Sequence, residues 1–207
     1  MPVKFPCGDI TLEGEWHMRT GENLPAVVVC HPFPPGGGTM DNNVVMAICE
    51  ALYEKSIAAF RFNFRGVEGS EGSFGNGIAE REDVKAAIEF VLTEPRVDRS
   101  RIGLAGYSFG AAVSLQVAPN DERVKMLALC SAPLRGDAQG QFEEYKKPKL
   151  YLIGDSDQMV SVDGFRAMAK QSANPENFKE IAGADHFMAS YEKELSGHVA
   201  EFFRSGF

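Results

Sequence analysis

The stretch LAGYSFGAA, residues 104–112, sets a serine between two glycines, after an apolar run and before an alanine-rich one. Gly106, Ser108 and Gly110 make the pattern G-x-S-x-G. Between a strand and a helix, that pattern is a nucleophile elbow: a sharp turn lifts the serine hydroxyl off the sheet edge at the N-terminus of the next helix. The turn strains the serine backbone and crowds the positions two before and two after it, hence glycine at both. The flanks decide between an elbow and a chance match in a glycine-rich chain. SRIGLAGY (100–107) reads as a strand and GAAVSLQVA (110–118) as a helix, which favours the elbow.

Outward from this point, strands and helices alternate. PAVVVCH (25–31), IAAFRFNF (57–64), VKMLALCSA (124–132), KPKLYLIG (147–154) and the shorter NFKEIAG (177–183) read as strands. The continuous apolar run in the first of them marks burial on both faces. NNVVMAICEALYEK (42–55), EDVKAAIEFVLTE (82–94) and VDGFRAMAKQS (162–172) have helical periodicity. Tyr191, Leu195, Val199 and Phe203, four apart, make one face of a last helix. DITLEGEWHMRT (9–20) alternates and reads as an early antiparallel strand. This pattern predicts an α/β fold, a mostly parallel central sheet with helices on both faces. At 207 residues, with no linker or internal repeat, one domain over 1–207 is expected. Glycines cluster at 36–38 and 66–77, each directly after a strand. In an open parallel sheet that is the carboxyl edge, where sites form.

The net charge of −8 argues against nucleic acid and anionic membrane surfaces as partners. No apolar run approaches the ~20 residues that span a bilayer, and the N-terminus has no signal-peptide apolar region. Cys7, Cys30, Cys49 and Cys130 form no CxxC motif. A cytoplasmic protein with reduced thiols, no metal and no cofactor is the expectation. The sequence carries no signature of a particular oligomeric state.

A serine nucleophile needs a base, and the chain offers four histidines. His17 falls in the alternating strand and reads as a surface residue. His31 precedes the elbow and reads as structural, tying its loop to a neighbour. His198 lies in the last helix and reads as packed. His186 sits on the loop between the final strand and the final helix, at the edge where a base is needed. The base in turn needs an acid to hold its tautomer. Asp157, on the loop after the penultimate strand, has the reach; Asp155 is the alternative, and Asp185 adjoins His186 too closely to face it. Asp155 and Asp185 also fit turn hydrogen bonding. An oxyanion requires two donors. The N–H of Phe109 follows the nucleophile. In the loop HPFPPGGGTMDNN, Pro32, Pro34 and Pro35 have no N–H, so Phe33 is the second donor.

With these groups in the chain order Ser…Asp…His, the sequence resembles the α/β-hydrolase superfamily. Within it, the chain resembles small lidless serine hydrolases of the dienelactone hydrolase-like and short esterase group, over nearly its whole length. CHPFPPGGGTMDNNVV is similar to the family's His-Pro-x-Pro oxyanion loop, and GDSDQMV and GADHF to its acid and base loops. FNFRGVEGSEGSFGNG resembles the Phe-Arg-Gly-x-Gly-x-Ser-x-Gly loop, with Glu68 and Gly69 lengthening it by a residue. Dienelactone hydrolases proper carry cysteine at the elbow. Serine here implies ester or thioester hydrolysis.

The resemblance implies a small-molecule acyl substrate. Alternatives are a thioesterase or another acyl or peptide hydrolase on the same triad, and a non-catalytic binding module of the same fold. No extra domain supports an oligopeptidase. Lids in this fold are inserted before the acid-loop strand, where only PLRGDAQGQFEEYKK (133–147) stands. That segment is short and polar apart from Phe142 and Tyr145. It predicts an open site shaped by Phe33, Phe109 and the 66–77 loop, suited to short acyl groups.

Overall fold

A computed structural model describes residues 2–133, 138–171 and 174–207. Its eight strands are β1 (Val3–Cys7), β2 (Ile10–His17), β3 (Leu24–Cys30), β4 (Ala58–Phe62), β5 (Val97–Tyr107), β6 (Val124–Cys130), β7 (Lys149–Gly154) and β8 (Phe178–Ile181). They form one sheet in the order β1-β2-β4-β3-β5-β6-β7-β8. β1 and β2 are antiparallel, as are β2 and β4, and every other pairing is parallel. The α/β architecture with a mostly parallel sheet is therefore as the sequence indicates. The helices are α1 (Asn43–Glu54), α2 (Glu80–Val91), α3 (Phe109–Val117), α4 (Ala138–Glu144), α5 (Val162–Gln171) and α6 (Glu192–Gly206).

Alternation along the central strands feeds two cores. Val28, Cys30, Leu104, Leu127 and Leu129 point to one face, against the apolar sides of α2 and α3. Val27, Val29, Ala105, Ala128 and Cys130 point to the other, where α1 and α6 pack on each other. The register aligns Cys30 with Gly106, Tyr107 with Cys130 and Gly154 with Ile181. The parallel strands thus end together, and the loops after β3, β4, β5, β7 and β8 share one edge.

Two elements escape the sequence reading. β1 contains Pro6, which reads as a strand breaker. An edge strand tolerates it because one side of that strand has no partner. α4 is the second. Of the connection 133–147, residues 134–137 lie outside the described residues, as does residue 172 at the end of the expected 162–172 helix. In the described part, Phe142 and Tyr145 are buried. Phe142 meets the rings of Tyr151 and Phe178 at 6.0 and 5.6 Å. Its apolar surface and that of Tyr145 are committed to the core and are not available to cover a site. Phe142→Ala should therefore cost about 3 kcal/mol of stability, measured as a lowered urea midpoint.

Candidate active site

Ser108 is the hinge between β5 and α3. Its backbone takes φ 53° and ψ −115°, a strained conformation for a residue with a Cβ. Close packing enforces it. A Cβ at Gly106 would lie 2.5 Å from the backbone of Gly110 and Ala111, and one at Gly110 2.4 Å from the carbonyl oxygen of Cys30. The Ser108 N–H donates to the Cys130 carbonyl at 2.8 Å, anchoring the turn to β6.

Three side chains meet here. Ser108 Oγ lies 2.9 Å from His186 Nε2, and His186 Nδ1 lies 2.8 Å from Asp157 Oδ2. A carboxylate only accepts, so Nδ1 carries the proton and Nε2 is free to accept from the serine hydroxyl. His186 and Asp157 are buried. Burial pushes the Asp157 carboxyl up, but hydrogen bonds from His186 and from the N–H groups of Val160 and Met159 outweigh it and hold it below the ordinary carboxylate value. The other acidic candidates are occupied elsewhere. Asp155 accepts from the Gly183 N–H at 2.8 Å, which laces the loop after β7 to the loop after β8. Asp185 accepts from the N–H groups of Phe187 and Met188 as a turn former.

The loop after β3 brings Phe33 to the same edge. Gly38 folds back so closely that a Cβ there would sit 2.2 Å from the Pro32 carbonyl oxygen. Among the described residues, the N–H groups of Phe33 and Phe109 donate to no protein acceptor. They are the free donors an oxyanion would need.

His31 holds the near end of this loop. Its Nδ1 lies 2.7 Å from the Pro32 carbonyl oxygen, and the Phe64 N–H donates to its Nε2 at 3.0 Å. Burial pushes its pKa down from 6.5 to about 4, so the ring stays neutral and keeps both bonds. Met40 holds the far end: its N–H donates to Asn63 Oδ1 at 2.7 Å, and its carbonyl accepts from Arg61.

Arg61, His17, Tyr107, Glu80 and Asp83 complete the frame beyond what the sequence indicated. Arg61 is buried and also bonds Glu15 and Asp41. It donates to His17 Nε2 at 2.9 Å, so His17 is half-buried rather than a surface residue. Tyr107 donates its hydroxyl to the His186 carbonyl at 2.6 Å. The carboxylate of Glu80 accepts from the N–H groups of Gly75 and Gly77 at 2.6 and 2.7 Å, and Asp83 clamps Arg65. Both acids are fully buried. An acid placed three residues after Gly77, in the first turn of a helix, was the available signal for Glu80. Among the described residues, no group of acidic, histidine or cysteine side chains is arranged to hold a metal, and no helix is long and apolar enough to cross a membrane.

Residues 23–201 match the dienelactone hydrolase family. The chain belongs to that family of hydrolases. It is similar to an α/β serine hydrolase homologue from Coxiella burnetii (TM-score 0.87, 32% identity, 97% of this chain and 96% of that one). It is also similar to an α/β serine hydrolase without a lid from Xanthomonas campestris (TM-score 0.81, 28% identity, 99% and 94%). An uncharacterized protein of Rickettsia prowazekii is 30% identical over 199 residues, covering 92% of this chain and 83% of that one. The fold is thus that of lidless α/β hydrolases.

The His31 geometry makes stability depend on pH. The unfolded chain protonates this histidine near 6.5 and the native state only near 4. The native state is favoured in full above 6.5 and loses that advantage as pH falls toward 4. The contribution of His31 to the stability lost between pH 7 and pH 5 should be about 2 kcal/mol. In His31→Gln, urea midpoints at those two pH values should differ less than in wild type. An undiminished difference would show that His31 is not the group responsible.

Proposed function

We propose that this protein is a serine hydrolase that cleaves short carboxylic esters through an acyl-enzyme on Ser108. The observation that carries the reading is the unbroken hydrogen-bond chain Ser108–His186–Asp157 at an elbow with φ 53°. His186 Nε2 takes the hydroxyl proton as Oγ attacks the ester carbonyl. Asp157 holds the tautomer and stabilises the imidazolium. The N–H groups of Phe33 and Phe109 receive the oxyanion. His186 then passes the proton to the departing alkoxide oxygen. A water, deprotonated by the same nitrogen, attacks the acyl carbonyl and releases the acid and the free serine.

The experiment is fluorophosphonate labelling with a panel of ester, thioester and amide substrates. The label should sit on Ser108, esters should be the best substrates, and Ser108→Ala should lose both label and turnover, leaving at most ~10³–10⁴ over water. An unlabelled, inactive wild type would favour a non-catalytic binding module. A thioester outrunning its matched oxygen ester would move the reading to a thioesterase. For the acid, Asp157→Asn should cost about 10²–10⁴ in kcat, whereas Asp155→Asn should stay within about tenfold. The reverse ranking would transfer the role to Asp155.

Acyl length is the next discriminator. In an open site each CH₂ left in water forgoes ~0.8 kcal/mol of binding. Among p-nitrophenyl esters of straight-chain acids from acetate to palmitate, kcat/KM should peak at short chains and show no jump when the substrate aggregates. A maximum at palmitate would contradict the open site.

A further inference from the structure

The two sides of Ser108 differ in kind. In the sheet order, β3 and β4 lie on one side of β5, and β7 and β8 on the other. The loops after β7 and β8 carry Asp157 and His186. The loops after β3 and β4 carry Phe33 and Phe74, which close on Phe109 at the elbow. The ring centroids stand 5.5 Å apart for Phe33 and Phe74, 5.8 Å for Phe33 and Phe109, and 5.6 Å for Phe74 and Phe109. Phe64 supports Phe109 from below at 5.6 Å. The cluster remains open: Phe33 is 47% exposed, and Phe74 and Phe109 are half-buried.

The chemistry assigns the sides. The leaving oxygen must collect its proton from His186, so the alcohol half lies toward β7 and β8, next to Phe187. The acyl half then runs toward β3 and β4, onto the three rings. Each ring meets its neighbours edge-on or tilted, which leaves faces and edges suited to a further ring. The loops around the site are mostly acidic, and the first cation of α2, Arg81, donates to the Gly77 carbonyl at 3.2 Å. Among the described residues of the loops after β3, β4, β5, β7 and β8, the one lysine or arginine is Arg65, clamped by buried Asp83. Asp41, Glu68, Glu71, Asp155 and Asp185 are all acidic. A carboxylate on the substrate would meet no free cation from those loops.

The aromatic loop is held rigid. Glu80 binds the N–H groups on both sides of the turn that follows Phe74. Glu13 Oε1 accepts from the Gly69 N–H at 2.7 Å. The ring of Phe74 is therefore placed before substrate arrives, and binding spends little on ordering it.

We propose that the acyl half of this site takes a compact, uncharged aryl-bearing acyl group, an arylalkanoyl ester, whose ring packs against Phe33, Phe74 and Phe109. The assignment rests on the esterase reading above. It is compatible with a preference for short straight chains, since a phenyl group two carbons from the carbonyl is no longer than a hexanoyl chain.

The test holds the leaving group constant and compares 4-nitrophenyl acetate, hexanoate, 3-phenylpropanoate and 3-(4-carboxyphenyl)propanoate. In wild type, kcat/KM for 3-phenylpropanoate should exceed that for hexanoate about tenfold, the ratio that ~1.4 kcal/mol of ring contact corresponds to. The ring bearing a carboxylate should fall about tenfold below the bare ring. Phe74→Ala should bring the phenylpropanoate-to-hexanoate ratio to within about twofold of one. Phe74→Leu, which keeps apolar volume without a ring, should lower the ratio as well and serves if the alanine variant does not fold. A wild-type ratio near one, a ratio unmoved by the Phe74 variants, or a preference for the carboxylated ring would overturn the acyl-site assignment. Acetate turnover and fluorophosphonate labelling of Ser108 separate the two levels. A labelled enzyme that hydrolyses acetate without ring preference overturns the aryl assignment alone; an unlabelled enzyme inert to every ester overturns both.

Discussion

The close contact between the elbow and the end of β3 is the constraint from which the rest of the site follows. Gly110 sits where any side chain would strike the carbonyl oxygen of Cys30 at 2.4 Å. That proximity puts the first turn of α3 beside the oxyanion loop, so the N–H groups of Phe109 and Phe33 belong to one small region. The same turn forces φ 53° on Ser108, a strain that the buried strands on either side are stable enough to hold. A site with this geometry is finished when the chain has folded.

The oxyanion and glycine loops are built on the same plan but with different materials. The first is pinned at its near end by a neutral histidine and at its far end by Asn63 and Arg61. The second is pinned by carboxylates that accept from its own N–H groups, Glu80 fully buried and Glu13 half-buried. Each buries one large apolar side chain, Met40 in the first and Phe64 in the second, and is otherwise mostly glycine, proline and polar residues. Hydrogen bonds to carboxylates and orienting groups add to that packing, and charge-assisted bonds are roughly twice as strong as neutral ones. This is how loops rich in glycine, which loses the most conformational freedom on folding, remain ordered at an open edge.

What could be read from the sequence divides along the range of the forces involved. The elbow was legible because its constraint is local: two glycines, a serine, a strand before and a helix after. Asp157 and His186 were legible because in a parallel sheet the loop after each strand emerges at a known edge, so chain order alone places them. The parallel strands were legible from their unbroken apolar runs. β1 was hidden by Pro6, whose tolerance depends on being at the sheet's border. Arg61 in AAFRF and Asp83 were hidden because local periodicity assigns charge to solvent, whereas these are buried by partners distant in sequence. Glu80, whose partners Gly75 and Gly77 are near in sequence, carried a local signal that the helical periodicity masked. The aromatic cluster was half visible: Phe33 and Phe109 adjoin the elbow and oxyanion loop, but Phe74 joins them only because β4 lies next to β3 in the sheet.

The hydroxyl of Tyr107 spans from the strand that leads into Ser108 to the main chain of His186 at 2.6 Å. The loop of His186 follows β8, four residues long and at the border of the sheet, and its other ties run to the loop after β7, through Asp155 to the Gly183 N–H and through Asp157 to His186 itself. Border strands are the first to open in local fluctuations, since half of their hydrogen-bonding capacity faces no neighbour. The tyrosine fastens His186 to β5, in the middle of the sheet, where opening requires disrupting both cores. Ser108 and His186 thereby share one frame of reference. Ser108 Oγ and His186 Nε2, 2.9 Å apart, are thus tied to the interior of the sheet as well as to its outermost strand.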